Sequence, residues 1–206
     1  MLAILGTAWL VVQLFARPDA QQLSGWRGPG NSSASIAAAA EGTLSGRAED
    51  QRGRGLSSAL KPHGNPLNDG RTVMTQGYGV GTHAPAEVWG AIDLAIDGND
   101  DGAADPQGSY DAPIYATHSG VVKVTPNSHP AGNHIWVSNE QFKTGYAHLA
   151  GFVVESGAHV ERGQLIGYVG STGMSSGPHL DYQIWEMQGG TWVNRNPLDF
   201  EPLAGL

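Results

Sequence analysis

An all-β fold is predicted for the greater part of this chain. Three observations carry the prediction: short runs rich in β-branched and aromatic residues, turn residues between successive runs, and 30 glycines with 12 prolines among 206 residues. Glycine supplies the positive φ, and proline the fixed φ, that a compact β-domain needs at its many turns. With 40% hydrophobic residues the chain can bury one good core, and its length suits one to two domains, of which one is favoured here.

The predicted strands follow in order after Pro66, separated by Gly, Pro, Asn and Ser: Thr72 to Gln76, Ala91 to Ile96, Pro113 to Thr117, Gly120 to Thr125, His134 to Ser138, Lys143 to His148, Gln164 to Val169, Leu180 to Trp185 and Thr191 to Val193. Several alternate apolar with polar residues, the pattern of a half-buried strand. No segment before the C-terminus has a helical period. The expected architecture is a small antiparallel sheet or partly open barrel.

Two segments precede this domain. Leu2 to Ala16 reads LAILGTAWLVVQLFA before Arg17 and Pro18 interrupt it. As a helix it would span roughly 22 Å, short of the ~30 Å hydrocarbon core. Residues 1–20 are therefore expected to be a signal peptide or a short membrane anchor, which places the rest outside the cytoplasm. Residues 21–65 are rich in Ser, Ala, Gly and Arg and nearly free of aromatics after Trp26. Such a stretch buries too little apolar surface to offset its ordering entropy, so it reads as a disordered linker. Roughly 45 residues of flexible chain give a root-mean-square reach of about 40 Å. Residues 66–206 form the folded domain.

Charge and composition exclude some partners. Net charge is -8 with 11 Lys and Arg, so no electrostatic footprint exists for nucleic acid or an anionic membrane surface. Membrane contact is expected only through the N-terminal segment. Cysteine is absent, which leaves His, Asp and Glu as the strong protein ligands for a metal.

The motifs then converge on a resemblance. The run from Val160 to Trp185 (VERGQLIGYVGSTGMSSGPHLDYQIW), together with QGYG at 76–79, IDLA at 92–95, APIYA at 112–116, GVV at 120–122, GYAHL at 145–149 and NPL at 196–198, resembles the lysostaphin-type (LytM-like) zinc metallopeptidases. The matches run in the family's order from about Thr72 to Phe200. The resemblance implies a small antiparallel β-fold with a long substrate groove that binds zinc and cuts peptide cross-links of bacterial cell walls.

In that family the zinc ligands are a His and an Asp spaced H-x-x-x-D and the second His of an H-x-H pair. The first His of the pair and the His of Y-A-H are the catalytic imidazoles. Three protein ligands leave a fourth position for a water whose pKa falls toward ~7, and the two imidazoles handle protons and the oxyanion. Carried over by position, Asp93 is the matching ligand, and His148 and His179 the matching catalytic residues. Two ligands differ. Trp89 stands four before Asp93 and offers no lone pair, and Asp181 stands where the second His of H-x-H belongs. Period-two geometry places Asp181 on the same strand face as His179, and a carboxylate is a competent zinc ligand. His83, on a glycine-flanked loop, is the candidate to replace the missing imidazole; the plain alternative is a solvated loop histidine. Trp89 reads as a core or groove-wall aromatic, and in a non-catalytic relative it would fill the space of the lost imidazole.

Other residues carry less. His134 reads as a strand residue or groove liner, and His63, His118, His129 and His159 as loop or surface positions. Trp136, Trp185 and Trp192 are expected in the core, the alternative being platforms in a polymer-binding groove. DGNDDGAAD at 97–105 matches the first positions of a calcium loop, with Asp97, Asn99, Asp101 and Asp105 as candidate calcium ligands; Gly108 replaces the bidentate acid, and an acidic solvated loop is the alternative. Two functions stay open: a cell-envelope metalloendopeptidase acting on peptidoglycan peptides through an atypical zinc site, and a degenerate relative that binds cell wall or regulates a partner hydrolase.

Overall fold

The computed structural model describes residues 58–200. The expectations for residues 1–20, and for the linker as far as residue 57, lie outside the described residues. Residues 58–65, read above as the linker's end, are tied to the domain: Ser119 N–H donates to the Ala59 carbonyl at 2.8 Å, His63 N–H to Thr117 at 3.0 Å, and Asn139 Nδ2 to the Leu60 carbonyl at 2.8 Å. Among the described residues no helix is long and apolar enough to cross a membrane.

Among the described residues there are eleven strands: β1 (Thr72–Gln76), β2 (Ile92–Ile96), β3 (Pro113–Tyr115), β4 (Gly120–Ser128), β5 (Gly132–Ser138), β6 (Phe142–Ala147), β7 (Gly151–Phe152), β8 (His159–Val160), β9 (Leu165–Tyr168), β10 (Leu180–Gln188) and β11 (Thr191–Arg195). Eight form one antiparallel sheet in the order β1-β2-β10-β6-β5-β4-β8, with β11 pairing the far half of β10; β3-β9-β7 form a second, smaller sheet. The fold is all-β, and the sheets are open rather than closed into a barrel. The strands β7 and β8 were not predicted, and neither were α1 (Ala86–Trp89) and α2 (Pro106–Ser109). Two to four residues are too few for any period to show.

The large sheet separates two environments. On β10, Leu180, Tyr182 and Ile184 are buried, and their register partners on β2 and β6 include Leu94, Ile92 and Tyr146. These residues join Ile114, Ile166 and Leu149 in a single hydrophobic cluster that spans both sheets. The phenols inside it are satisfied: the Tyr182 and Tyr146 oxygens lie 2.7 and 3.0 Å from Thr117 Oγ1. Because side chains alternate, the residues between them (Asp181, Gln183 and Trp185 on β10; Ala147, Gly145 and Lys143 on β6) face the other way, away from the core.

Two sequence expectations are corrected. Trp136, Trp185 and Trp192 are half-buried on this outer face and do not belong to the core cluster. Their alternation was right, but the face they occupy is the open one. His118, read as a loop or surface histidine, has 0% exposure. It is accommodated by Thr144 Oγ1 at 3.1 Å from its Nε2, and by Ser119 O and Asn139 Nδ2 at 3.0 and 3.1 Å from its Nδ1.

Candidate active site

The register of the sheet assembles the site. Asp93 on β2 lies directly opposite Asp181 on β10, and Asp181 lies opposite Ala147 on β6. His179 immediately precedes β10 and His148 immediately follows β6, so four chemically active residues occupy one row of the open face. His148 has φ +65°, a left-handed backbone conformation that costs a non-glycine residue about 1–2 kcal/mol. Tertiary structure holds it there: its N–H donates to Ala131 O at 2.9 Å and its Nδ1–H to Thr172 O at 2.7 Å. Gly173 makes that acceptor loop possible. It has φ +75°, and a Cβ there would stand 2.4 Å from Pro130 O and from Gly132 N.

His83 enters from a 3-10 turn, Gly81–His83, that packs over the row. Gln76 Nε2 donates to Thr82 Oγ1 at 2.7 Å, and His83 Nδ1–H donates to Gly77 O at 3.1 Å. The QGYG segment thus anchors the turn through one side chain and one carbonyl. His83 is 3% exposed. Its Nε2 lies 3.2 Å from Asp93 Oδ1 and 3.6 Å from Asp181 Oδ2. Although burial pushes its pKa down, the Asp181 and Asp93 carboxylates outweigh that and raise it to about 10.

All three imidazoles of the site are oriented alike. His179 Nδ1–H donates to Gly177 O at 2.8 Å, as His83 and His148 do to Gly77 O and Thr172 O. A carbonyl can only accept, so each Nδ1 carries a proton. Nε2 is the nitrogen left to titrate, and in His83 the two carboxylates hold a second proton there that a bound metal would displace. His179 Nε2 is 3.6 Å from Asp93 Oδ1, and the His148 and His179 rings are 4.8 Å apart. Burial, followed at a distance by the neighbouring His179, lowers the pKa of His148, while its bond to Thr172 O acts the other way.

The donor atoms suit a divalent ion. Among the described residues, His83, Asp93 and Asp181 are the group whose ligand atoms all lie within 4.8 Å of one another. A tetrahedral zinc with bonds of 2.0–2.1 Å separates its ligand atoms by about 3.3 Å, and the observed 3.2 and 3.6 Å bracket that value. Asp93 Oδ1 is buried without a hydrogen-bond partner. Ion pairing with His83 is its compensation in the absence of metal, and a divalent cation would satisfy it more fully. A nitrogen and two carboxylate oxygens form a competent zinc set. Asp181 is itself held: Gln183 Nε2 donates to its Oδ1 at 3.3 Å, and Trp185 Nε1 donates to Gln183 Oε1 at 3.2 Å. Residues 181, 183 and 185 were legible as one strand face, but the relay between them was not.

The remaining sequence candidates fall elsewhere. Trp89 ends α1 at 47% exposure; the expectation that it fills the missing imidazole's space is corrected, because His83 faces both carboxylates instead. His134 borders the row, its Nδ1 2.8 Å from Ser128 Oγ and its ring edge-on to Trp136. The acidic loop uses its oxygens internally. Asp97 accepts from the N–H groups of Asp101 and Gly102 at 3.1 and 2.7 Å, Asn99 from Asp101 N–H at 3.2 Å, Asp101 from Ala103 N–H at 2.9 Å, and Asp105 from Gln107 N–H at 2.9 Å. Backbone donors, rather than a ring of convergent ligand atoms, answer the like-charge repulsion there.

An open all-β sheet thus gathers imidazoles and carboxylates on one register row, a donor set able to hold a metal ion. The model of peptidase family M23 matches residues 101–198, a span that holds His148, His179 and Asp181 and begins after Asp93. The chain is 33% identical over 140 residues to the peptidoglycan DD-endopeptidase ShyB of Vibrio cholerae, covering 68% of this chain and 30% of that protein. It is 32% identical over 120 residues to the glycyl-glycine endopeptidase ALE-1 of Staphylococcus capitis, covering 57% of this chain and 33% of that one. It spans no more than about a third of the length of these relatives. Among solved structures, the antimicrobial peptidase lysostaphin of Staphylococcus simulans superposes with a TM-score of 0.51 at 23% identity, over 68% of this chain and 53% of that one, a likeness of fold. The chain belongs to the lysostaphin-type peptidase family M23.

Proposed function

We propose that this chain is a zinc-dependent endopeptidase of the cell envelope, with His83, Asp93 and Asp181 as the metal ligands and His148 and His179 as the catalytic imidazoles. The observation that carries the reading is the approach of His83 Nε2 to both carboxylates, at 3.2 Å from an Asp93 Oδ1 that is buried and makes no hydrogen bond. It supplies a third ligand where Trp89 offers none. Family membership and the named activities of the relatives support peptide cross-links of peptidoglycan as the substrate class. The apolar run from Leu2 to Ala16 supports action outside the cytoplasm.

Zinc, when bound, supplies a Lewis acid and lowers the pKa of a coordinated water toward ~7. The chain's own residues do the rest. The His148 and His179 ring centres lie 4.8 Å apart, so one ring accepts a proton while the other stays neutral, since two neighbouring imidazolium ions would repel. The acceptor becomes the acid that returns the proton to the leaving amine. The imidazole that has taken the proton also gains the Nε2–H donor that a developing oxyanion needs. Gly177 O and Thr172 O keep both rings from turning.

The test uses the full chain, dialysed with zinc and assayed for bound metal and for peptide release from purified peptidoglycan. Near-stoichiometric zinc and peptide release are expected. His179→Ala should keep the zinc and lower turnover by roughly 10²–10⁴, whereas His83→Ala should lose the zinc, because two carboxylates leave too much of the coordination sphere to water. A wild type that holds no zinc and releases nothing would sink the proposal.

A further inference from the structure

The open face continues past the metal row. Four residues along β6 from Ala147 lies Lys143, and four along β10 from Asp181 lies its register partner Trp185. Lys143 Nζ stands 4.7 Å from the ring centre of Trp136 on β5, 5.0 Å from that of Trp185, and 5.3 Å from that of Trp192 on β11. Rings from three strands therefore close around one ammonium from a fourth. The collar is built into the sequence: Gly145, between Lys143 and Ala147, has no side chain, and a Cβ there would sit 2.7 Å from the Trp136 ring.

Ring quadrupoles stabilise an ammonium without neutralising it. Among the described residues, Lys143 forms no ion pair and its Nζ makes no hydrogen bond; Lys123, the register partner of Trp136, likewise has no carboxylate partner. Burial, aided by Lys123, lowers the Lys143 pKa, the mark of a cation held partly out of water without an anion beside it. This is an unusual arrangement in a chain of net charge -8, where acidic side chains outnumber basic ones. The ammonium keeps three N–H donors that aromatic rings do not consume. Lys143 already lies against the three rings, so an incoming sugar would first have to displace it, whereas an anionic group meets a half-buried positive charge that no carboxylate neutralises. At 3.3 Å per residue, four residues put this cation about 13 Å from the metal row along the strands.

We propose that Lys143, in its collar of Trp136, Trp185 and Trp192, is a subsite that docks a carboxylate of the substrate peptide about 13 Å from the scissile bond. The inference rests on the peptidase reading for what occupies the groove, but its test requires no turnover. Trp185 also ends the hydrogen-bond relay to Asp181 through Gln183, so the two ends of the groove share a residue.

The full chain is titrated with two probes while tryptophan fluorescence is followed: a cross-linked stem-peptide dimer with free carboxylates, and the same dimer with its carboxylates amidated. The wild type should prefer the acid by about 5-fold, the value of one partly screened ion pair, and this preference should shrink as ionic strength rises. Lys143→Gln should abolish the preference by weakening only the acid, and Lys143→Arg should retain most of it. Equal affinities for acid and amide in the wild type, failure to bind either, or a preference that survives Lys143→Gln would overturn the proposal. The salt dependence of the wild type stands as a test even if the Gln variant does not fold. A chain that discriminates the two dimers yet releases nothing from peptidoglycan would keep the subsite and reject the catalytic reading.

Discussion

Gln183→Leu probes how an aspartate does the work of the family's second histidine in H-x-H. The substitution keeps the side chain's approximate size on a half-buried face but removes two hydrogen bonds: Nε2–H to Asp181 Oδ1 at 3.3 Å, and Trp185 Nε1–H to Oε1 at 3.2 Å. The first fixes which carboxylate oxygen is occupied, leaving Oδ2 toward His83. Loss of a residue that orients a ligand typically lowers metal affinity by about 10–100-fold, or about 1.4–2.7 kcal/mol. One bond is at and the other just beyond the long end of the normal range, so the expected loss is nearer tenfold. Trp185→Phe removes only the outer link and should cost less. The assay is competition for zinc against a chromophoric chelator near neutral pH, with melting temperature recorded in excess chelator to separate metal affinity from folding. An unchanged zinc affinity in Gln183→Leu would refute the idea that Asp181 depends on this relay.

Two further outcomes are expected. Trp89→Ala should leave zinc content unchanged and stability within about 0.5 kcal/mol, as for a surface substitution, since Trp89 is 47% exposed and outside the ligand group; loss of zinc in this variant would assign the tryptophan a part in the site. Burial lowers the His118 pKa to about 4, so as pH falls below 6.5 the unfolded chain takes up this proton first and stability declines until about pH 4, by about 3 kcal/mol in all. Denaturant titrations in chelator should show that decline softened in His118→Gln, and an identical pH dependence in the two proteins would contradict the assignment.

Much of this domain is legible in its residues because β-strands write their faces with period two. The nine predicted strands all exist, most within a residue or two at one end, and Asp93, His148, His179 and Asp181 fall on one row through alternation and motif alone. Three features resisted for different physical reasons. His83 is legible as the replacement ligand, but only beside the plainer reading of a solvated loop histidine. The choice between them resisted because the residue reaches the row through a 3-10 turn whose position depends on Gln76 and Gly77, and sequence spacing cannot report where a loop folds back. Trp136, Trp185 and Trp192 were misassigned to the core because large aromatics usually bury, and only the register with Lys143 and Gly145 shows that they line the opposite face. His118 sits among Thr117, Ser119 and Gly120, a composition that reads as a turn, while its burial depends on Thr144 and Asn139 far along the chain.

The carbonyls of Gly77, Thr172 and Gly177 have a consequence for how this site can change over generations. Each imidazole takes its orientation from main-chain oxygen, which every residue type provides. Point substitutions that keep the loop path, unlike one at Gly173, where a Cβ would strike Pro130 O and Gly132 N, can therefore come and go without turning the three rings, whereas inserting or deleting a single residue would move an oxygen and free a ring. A histidine arriving from a new direction, as His83 does, needs only a carbonyl within reach to become fully oriented.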